Sequence, residues 1–400
     1  MNADLIAALW IGLALAASLL SIRFGISVAL IEIGLGLVAG NTIGLTTNAW
    51  VDFLASFGAV LLTFLAGAEI DPASFRRHLR PSLAIGAISF GAPFAAAFGV
   101  AYVGLGWTLQ GSEIAGLALS TTSVAVVYAV MIESGLASQE IGKLILAACF
   151  VTDLGTVLFL GILFADVSPL LAGFAAVTAV GLVLSPRLLR WLTRRVPNRV
   201  SEPEVKFVFL VLLGLGGLAQ AAGSEAVLPA YLLGLALAGA FVADRVLVNR
   251  MRATAFSLLT PFYFLRAGSI VSVPAIVAGA GLIVLFLGVK LGAKLAGVWP
   301  LARAFRLPVR EANYTTLLMS TGLTFGTIAS LFGYTHGFID QATYTILVTV
   351  VILSAVVPTL IATTFFEPRL AGAEDIEEFE AAEEIDLGPV EPRQTSPEGV

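Results

Sequence analysis

Asp153 stands near the middle of an otherwise uncharged run, LILAACFVTDLGTVLFLGILFA, from Leu144 to Ala165. The run is 22 residues long, and a helix needs about 20 apolar residues to cross a bilayer. A carboxylate at that depth costs about 3 kcal/mol on insertion scales. Chains keep such a group when it binds a cation or a proton; the alternative is a helix-packing aspartate held protonated by a neighbour. Candidate oxygen donors are the Thr152 hydroxyl and those of Thr121, Thr122 and Ser123, one apolar segment earlier. By hard-cation logic sodium wants about six oxygens, so freed backbone carbonyls would complete the set. One desolvated carboxylate holds either a proton or a monovalent cation, which makes one-for-one exchange the natural stoichiometry. Such exchange moves no net charge, so membrane voltage, worth about 2.3 kcal/mol per charge per 100 mV, would not drive it.

The chain around this residue has the composition of a membrane protein. Hydrophobic residues make up 58% of the 400 and charged residues 12%, with a mean hydropathy of +0.96. A soluble domain carries about a quarter charged residues. An all-α polytopic membrane protein is expected, surrounded by lipid, with no cofactor and no nucleic-acid partner. The sole cysteine, Cys149, lies in an apolar run, which leaves no intrachain disulfide and no cysteine metal cluster. No basic residue precedes Arg23, so the opening run reads as a retained helix.

Thirteen apolar segments follow one another, at about 4–22, 26–45, 51–70, 82–105, 113–133, 141–165, 168–190, 204–222, 226–245, 253–271, 274–298, 311–334 and 339–366. Of the 22 Lys and Arg, 19 follow odd-numbered segments, and the other three, Arg266, Lys290 and Lys294, lie inside apolar segments. Positive loops face the cytoplasm, which puts the N-terminus outside and the C-terminus inside an inner (plasma) membrane. The acidic stretch 367–400 reads as a disordered cytoplasmic tail.

Two segments are interrupted at their middles. The fifth carries Ser120-Thr121-Thr122-Ser123, and the twelfth carries Ser320-Thr321-Gly322 followed by Thr324-Phe325-Gly326-Thr327. Hydroxyls compete with the helical ladder and glycine weakens it. Small residues also permit close helix contact, which is the competing reading of each segment alone. The interruptions lie seven segments apart, so the two helices run in opposite directions. Segments one to six and eight to thirteen (about 4–165 and 204–366) then form inverted repeats joined by the helix at 168–190. Paired broken segments in corresponding halves point to a transporter site at the midplane.

The stretches FLAGAEID (64–71), ALSTTSVAVV (118–127), AACFVTDLGTVL (147–158), TPFYFLRAG (260–268), VKLGAKLAG (289–297) and STGLTFGTIA (320–329) resemble the monovalent cation:proton antiporter-2 family. That family includes bacterial sodium/proton antiporters and the membrane domain of potassium efflux systems. The resemblance implies a core domain with two crossed helices moving against a dimerisation domain, in a homodimer. It also implies an exchanger of Na⁺, Li⁺ or K⁺ for H⁺, with Asp153 as the shared site. Electrogenic members show two adjacent aspartates there, whereas this chain has Thr152-Asp153, and a Ser found one turn earlier in one branch is Cys149 here. Lys290 matches the family's intramembrane lysine and would compensate charge when no cation is bound, or serve only to stabilise the helix crossing. Lys294, one turn nearer the cytoplasm, would snorkel there.

The resemblance allows Glu69 as a cavity residue, but Glu69, like Glu32 and Glu133, reads rather as an interfacial carboxylate; Arg266 reads as either a cavity residue or one reaching the outer interface. His78 and His336 fall in loops. An intramembrane aspartyl protease would need a second membrane aspartate, commonly in a GxGD motif, and no such motif is present; a rhomboid-type enzyme would need a membrane histidine, and both histidines fall in loops. A passive channel fits less well than alternating access to one titratable carboxylate.

Overall fold

The computed structural model describes residues 3–24, 27–45, 47–68, 79–134, 136, 139–164, 169–195, 201–222, 226–243 and 245–368. Glu69, His78 and the tail from 369 lie outside them, as does the side chain of Glu133. Among the described residues every regular element is helical, as a bilayer requires of an open-ended chain that must satisfy its own backbone groups. Helices α1 (Ala3–Phe24), α2 (Val28–Thr42), α3 (Ala49–Ala68) and α4 (Leu79–Gly99) carry the first four segments. The fifth is split into α5 (Leu109–Ser120) and α6 (Val124–Glu133), and the sixth is α7 (Glu140–Leu163).

The seventh to ninth are α8 (Pro169–Arg195), α9 (Pro203–Ala221) and α10 (Val227–Ala243). The tenth runs from α11 (Arg245–Thr254) through a π-turn (Ala255–Leu259) into α12 (Thr260–Ser269). It starts well before the expected 253, because α11 is a basic helix of nearly three turns that the apolar pattern could not include. The eleventh holds α13 (Val273–Ala278) and α14 (Ala280–Ala304), the twelfth is split into α15 (Val309–Met319) and α16 (Thr324–Thr335), and the last is α17 (Gln341–Ile361). The α17 N-cap is Asp340, whose carboxylate accepts from the Thr343 amide at 2.8 Å. That bond holds its pKa below the usual aspartate value.

Among the described residues nine of these segments are long and apolar enough to cross a membrane, and Val28–Thr42 and Val227–Phe241 are shorter apolar helices. The packing repeats with inverted order. Helix α2 lies on α12, and α3 lies on α10, so exchanging the first six segments for the last six turns one contact into the other. Likewise α4 packs on α5 and α7, as α14 packs on α15 and α17, while α5 meets α16 and α4 meets α14 across the pseudo-axis.

Two interfaces depend on glycine for backbone approach. A Cβ at Gly234 would collide with the Phe64 carbonyl and one at Gly67 with the Tyr231 carbonyl; Gly268 and Gly36 stand in the same relation to Ile33 and Leu265. Gly234→Ala is therefore expected to destabilise by about 1–3 kcal/mol, the usual cost of overpacking. Gly239→Ala, on the same helix with nothing near its missing Cβ, should be neutral or slightly stabilising. Thermal unfolding of the two variants in one detergent checks this; equal melting temperatures would refute it.

Candidate ion-binding site

The two helix breaks meet and satisfy one another's orphaned backbone groups. The Ser123 amide donates to the Thr321 carbonyl at 3.1 Å, and the Thr122 hydroxyl donates to the Met319 carbonyl at 2.9 Å. Thr121 and Thr321 turn their hydroxyls back onto Ala118 O and Leu318 O of their own chains, and Ser320 onto Thr316 O. Ser123 Oγ accepts from the Val126 amide at 3.4 Å and so caps the start of α6. The four residues 120–123 and the stretch Ser320–Leu323 are all buried. Unwound backbone at membrane depth survives only under such cover. Gly326 is required where the helices cross, because a Cβ there would lie 2.9 Å from Ala118 O and 3.0 Å from Thr121 Oγ1. Thr324 opens α16 and is half-buried.

Asp153 sits in the middle of α7, 1% exposed, and its Oδ1 has no hydrogen-bond partner. The adjacent Thr152 hydroxyl is turned toward α4, donating to Ala148 O at 3.0 Å and lying 3.4 Å from Gly86 O. No hydrogen bond joins Asp153 to Thr121, Thr122 or Ser123 among the described residues. The expected donors are thus gathered around the crossing rather than closed on the carboxylate. On the face of α7 one turn earlier, Cys149 Sγ lies 3.7 Å from Met319 Sδ, tying this helix to the end of α15. Tyr231 adds a bond from α10, its hydroxyl donating to Phe150 O at 3.0 Å.

The lysines are arranged differently from the sequence expectation. Lys294 does not snorkel: it is fully buried, and its ammonium donates to Ser89 Oγ at 2.8 Å, Ser120 O at 2.9 Å and Thr122 Oγ1 at 3.1 Å. An ammonium has three protons to donate, and all three are used. Bonded to Ser120 O, it sits on the negative C-terminal end of α5. Lys290, also fully buried, has no hydrogen-bond partner for Nζ. It lies against Gly322 in the other break, close enough that a Cβ there would clash with it, and Thr121 Oγ1 and Ser354 Oγ flank the same spot. Lys294 thus pins the end of α5, while Lys290 faces the end of α15. The signal was legible: both residues fall on one face of α14 at a spacing of four.

A cavity of about 800 Å³ opens between α3, α9, α10 and α12 on one side and the ends of α7 and α16 on the other. It lies on the side of the bundle where α3 begins. Its lining includes Leu160, two turns beyond Asp153, together with Ile328, Tyr263, Arg266 and His336. Arg266 is therefore a cavity residue, with its Nε 2.8 Å from the Asp52 carboxylate as an ion pair. His336 ends α16, its Nδ1 3.0 Å from Phe332 O. Glu32, expected at the interface, is buried with Oε2 unpartnered; its depth was hidden because α2 is short and its apolar residues show no clear facing.

An all-helical membrane bundle whose two broken spans cross beside a buried carboxylate has the architecture of an ion-coupled exchanger. The comparisons agree. Residues 10–367 match the sodium/hydrogen exchanger, transmembrane family, and the chain belongs to it. It is 26% identical over 339 residues to "Cation/H(+) antiporter 18" of Arabidopsis thaliana, covering 80% of this chain and 42% of that protein. It is 25% identical over 330 residues to the "Glutathione-regulated potassium-efflux system protein KefC" of Salmonella typhimurium, covering 74% and 51%. The chain thus spans about half the length of these relatives. The structure of the sodium proton antiporter MjNhaP1 from Methanocaldococcus jannaschii at pH 8 superposes with a TM-score of 0.70 over 90% of this chain and 98% of the other, at 15% identity. That match supports the fold.

Proposed function

We propose that the chain exchanges a monovalent cation, Na⁺ or the smaller Li⁺, for H⁺ at Asp153 by alternating access, one for one and without net charge movement. The observation that carries this reading is the buried carboxylate with an unpartnered oxygen, one helix turn from the contact between α7 and the crossing of two antiparallel helix breaks. Thr121, Thr122, Ser123 and Thr152 supply hydroxyls or carbonyls as the ion arrives, and Lys290 compensates the end of α15 when it leaves. The crossed segments move against a scaffold of α1–α3 and α8–α12, which also forms a homodimer in the inner membrane and faces lipid. The repeats run from about 4 to 165 and from 204 to 366, with α8 as connector, and the N-terminus outside. The cellular role is pH homeostasis.

The test is proton flux in proteoliposomes holding a pH gradient, after adding Na⁺, Li⁺ or K⁺, with and without a clamped voltage. Na⁺-dependent, voltage-insensitive flux is expected. A response to K⁺ alone would make the chain a potassium/proton exchanger, and voltage-driven flux would add a second charge carrier, with Lys290 the first suspect.

The Asp52–Arg266 pair gives a second expected result. A cation entering the cavity passes a guanidinium whose charge Asp52 offsets. Asp52→Asn exposes that charge and should raise the apparent KM for the cation a few-fold on the cavity side, more at low than at high ionic strength. An unchanged KM at low salt would put Arg266 outside the entry path.

A further inference from the structure

The Cys149–Met319 contact is not used by sodium/proton exchange. A thiol and a thioether are poor ligands for the hard alkali cations and good ones for soft monovalent ions. Both residues are fully buried, and they come from different segments, so the fold has brought two sulfurs together at 3.7 Å. A third potential donor is at hand. Asp153 lies one turn along the same face of α7, and its Oδ1 is buried without a partner.

We propose that Cys149 and Met319 form a binding site for a soft monovalent cation of the Cu(I) or Ag(I) class, with Asp153 available as the third ligand. When the ion binds, a sulfur–metal bond replaces the S–H bond. The thiol proton leaves to water, along the path that exchanged protons use, so that Asp153 remains a carboxylate able to ligate. One positive charge replaces another at the thiol, so the membrane interior gains no net charge, which is what makes occupation tolerable at this depth. The site also lies where an ion would interfere. Met319 is the last residue of α15, and its carbonyl holds the Thr122 hydroxyl across the crossing. A metal fixing Met319 to Cys149 clamps α7 to the broken helix and occupies the approach to Asp153, so it blocks exchange. The block rests on the exchanger reading; the binding does not.

Cys149 is the only cysteine in these 400 residues, so a thiol measurement is unambiguous. Purified protein in detergent and chloride-free buffer is titrated with silver nitrate and examined by native mass spectrometry. One retained Ag⁺ per wild-type chain is expected, none in Cys149→Ser, and binding weaker by about tenfold or more in Met319→Leu. Met319→Leu conserves volume and keeps the thiol, so its result stands even if the cysteine variant fails to fold. Wild-type affinity in Met319→Leu would reduce the site to a bare thiol and overturn the proposal, as would a retained ion in Cys149→Ser. In proteoliposomes, silver should stop wild-type exchange and spare Cys149→Ser, each normalised to its own rate without silver. Stoichiometric binding that leaves the wild-type rate unchanged would overturn the placement beside the transported ion. If the wild type shows no exchange at all, the exchanger reading fails while the mass measurement still decides the metal site.

Discussion

Asp153→Asn is expected to reduce cation-driven proton movement to the rate of protein-free liposomes. The asparagine amide carries no exchangeable acid proton in this range and no formal charge to attract a cation, so both halves of the cycle are lost together. Stability separates this outcome from a merely structural role. A helix-packing aspartate would be held by hydrogen bonds, and its replacement would lower the melting temperature. Here Oδ1 is buried and unpartnered, so the native state bears a desolvation cost that the neutral amide reduces. The melting temperature should hold or rise while transport vanishes, the pattern of a site that gives up stability for function. Transport that survives would remove Asp153 from the mechanism, and a clear drop in melting temperature alongside lost transport would make the residue structural.

Asp153 was legible from sequence because a charge inside an apolar run is costly and has few explanations. The crossing was legible for a related reason: Thr121–Ser123 and Ser320–Gly322 interrupt helices seven segments apart, and an odd separation fixes opposite directions. The inverted packing of α2 on α12 and α3 on α10 then follows, although the glycines that permit it, Gly234 and Gly268, look no different in sequence from the many others. What the sequence could not reveal was which way side chains turn. Thr152 stands next to Asp153 in the chain but points at Gly86 O, because neighbours on a helix lie 100° apart. Ser89 and Met319 carried no signal, being ordinary residues of apolar helices until the fold set them beside Lys294 and Cys149. Glu69, His78 and the acidic tail remain readings of sequence alone. The snorkelling expectation for Lys294 came from its place one turn nearer the cytoplasm than Lys290. It failed because α14 packs against α4 and α15 on this face, with Val298 and Ala302 buried further along it, so the side chain meets protein rather than interface.

The two lysines should therefore respond differently to the same substitution, and this contrast tests the electrostatics of the site. Lys294→Met deletes three hydrogen bonds, each worth about 0.6 kcal/mol on average in a membrane protein, and a loss near 2 kcal/mol is expected. Ser120 O and the end of α5 are then left without a donor or a counter-charge in a water-free interior. The break at 120–123 loosens, and exchange falls with the melting temperature. Lys290→Met deletes no hydrogen bond, since Nζ has none, and it relieves an ammonium of its burial. Its melting temperature should hold or rise. Exchange should nonetheless slow several-fold, because the end of α15 at Gly322 loses the charge that offsets it when Asp153 releases its ion. Thermal unfolding in detergent and flux in liposomes, measured on both variants, separate the two roles. A Lys294→Met protein as stable as wild type would show that its three bonds hold nothing in place, and a Lys290→Met protein exchanging at full rate would leave α15 needing no compensation. Stability lost at one lysine and turnover lost at the other would mean that the breaks are served unequally: one is pinned by a saturated ammonium, and the other is left beside a charge free to follow the ion.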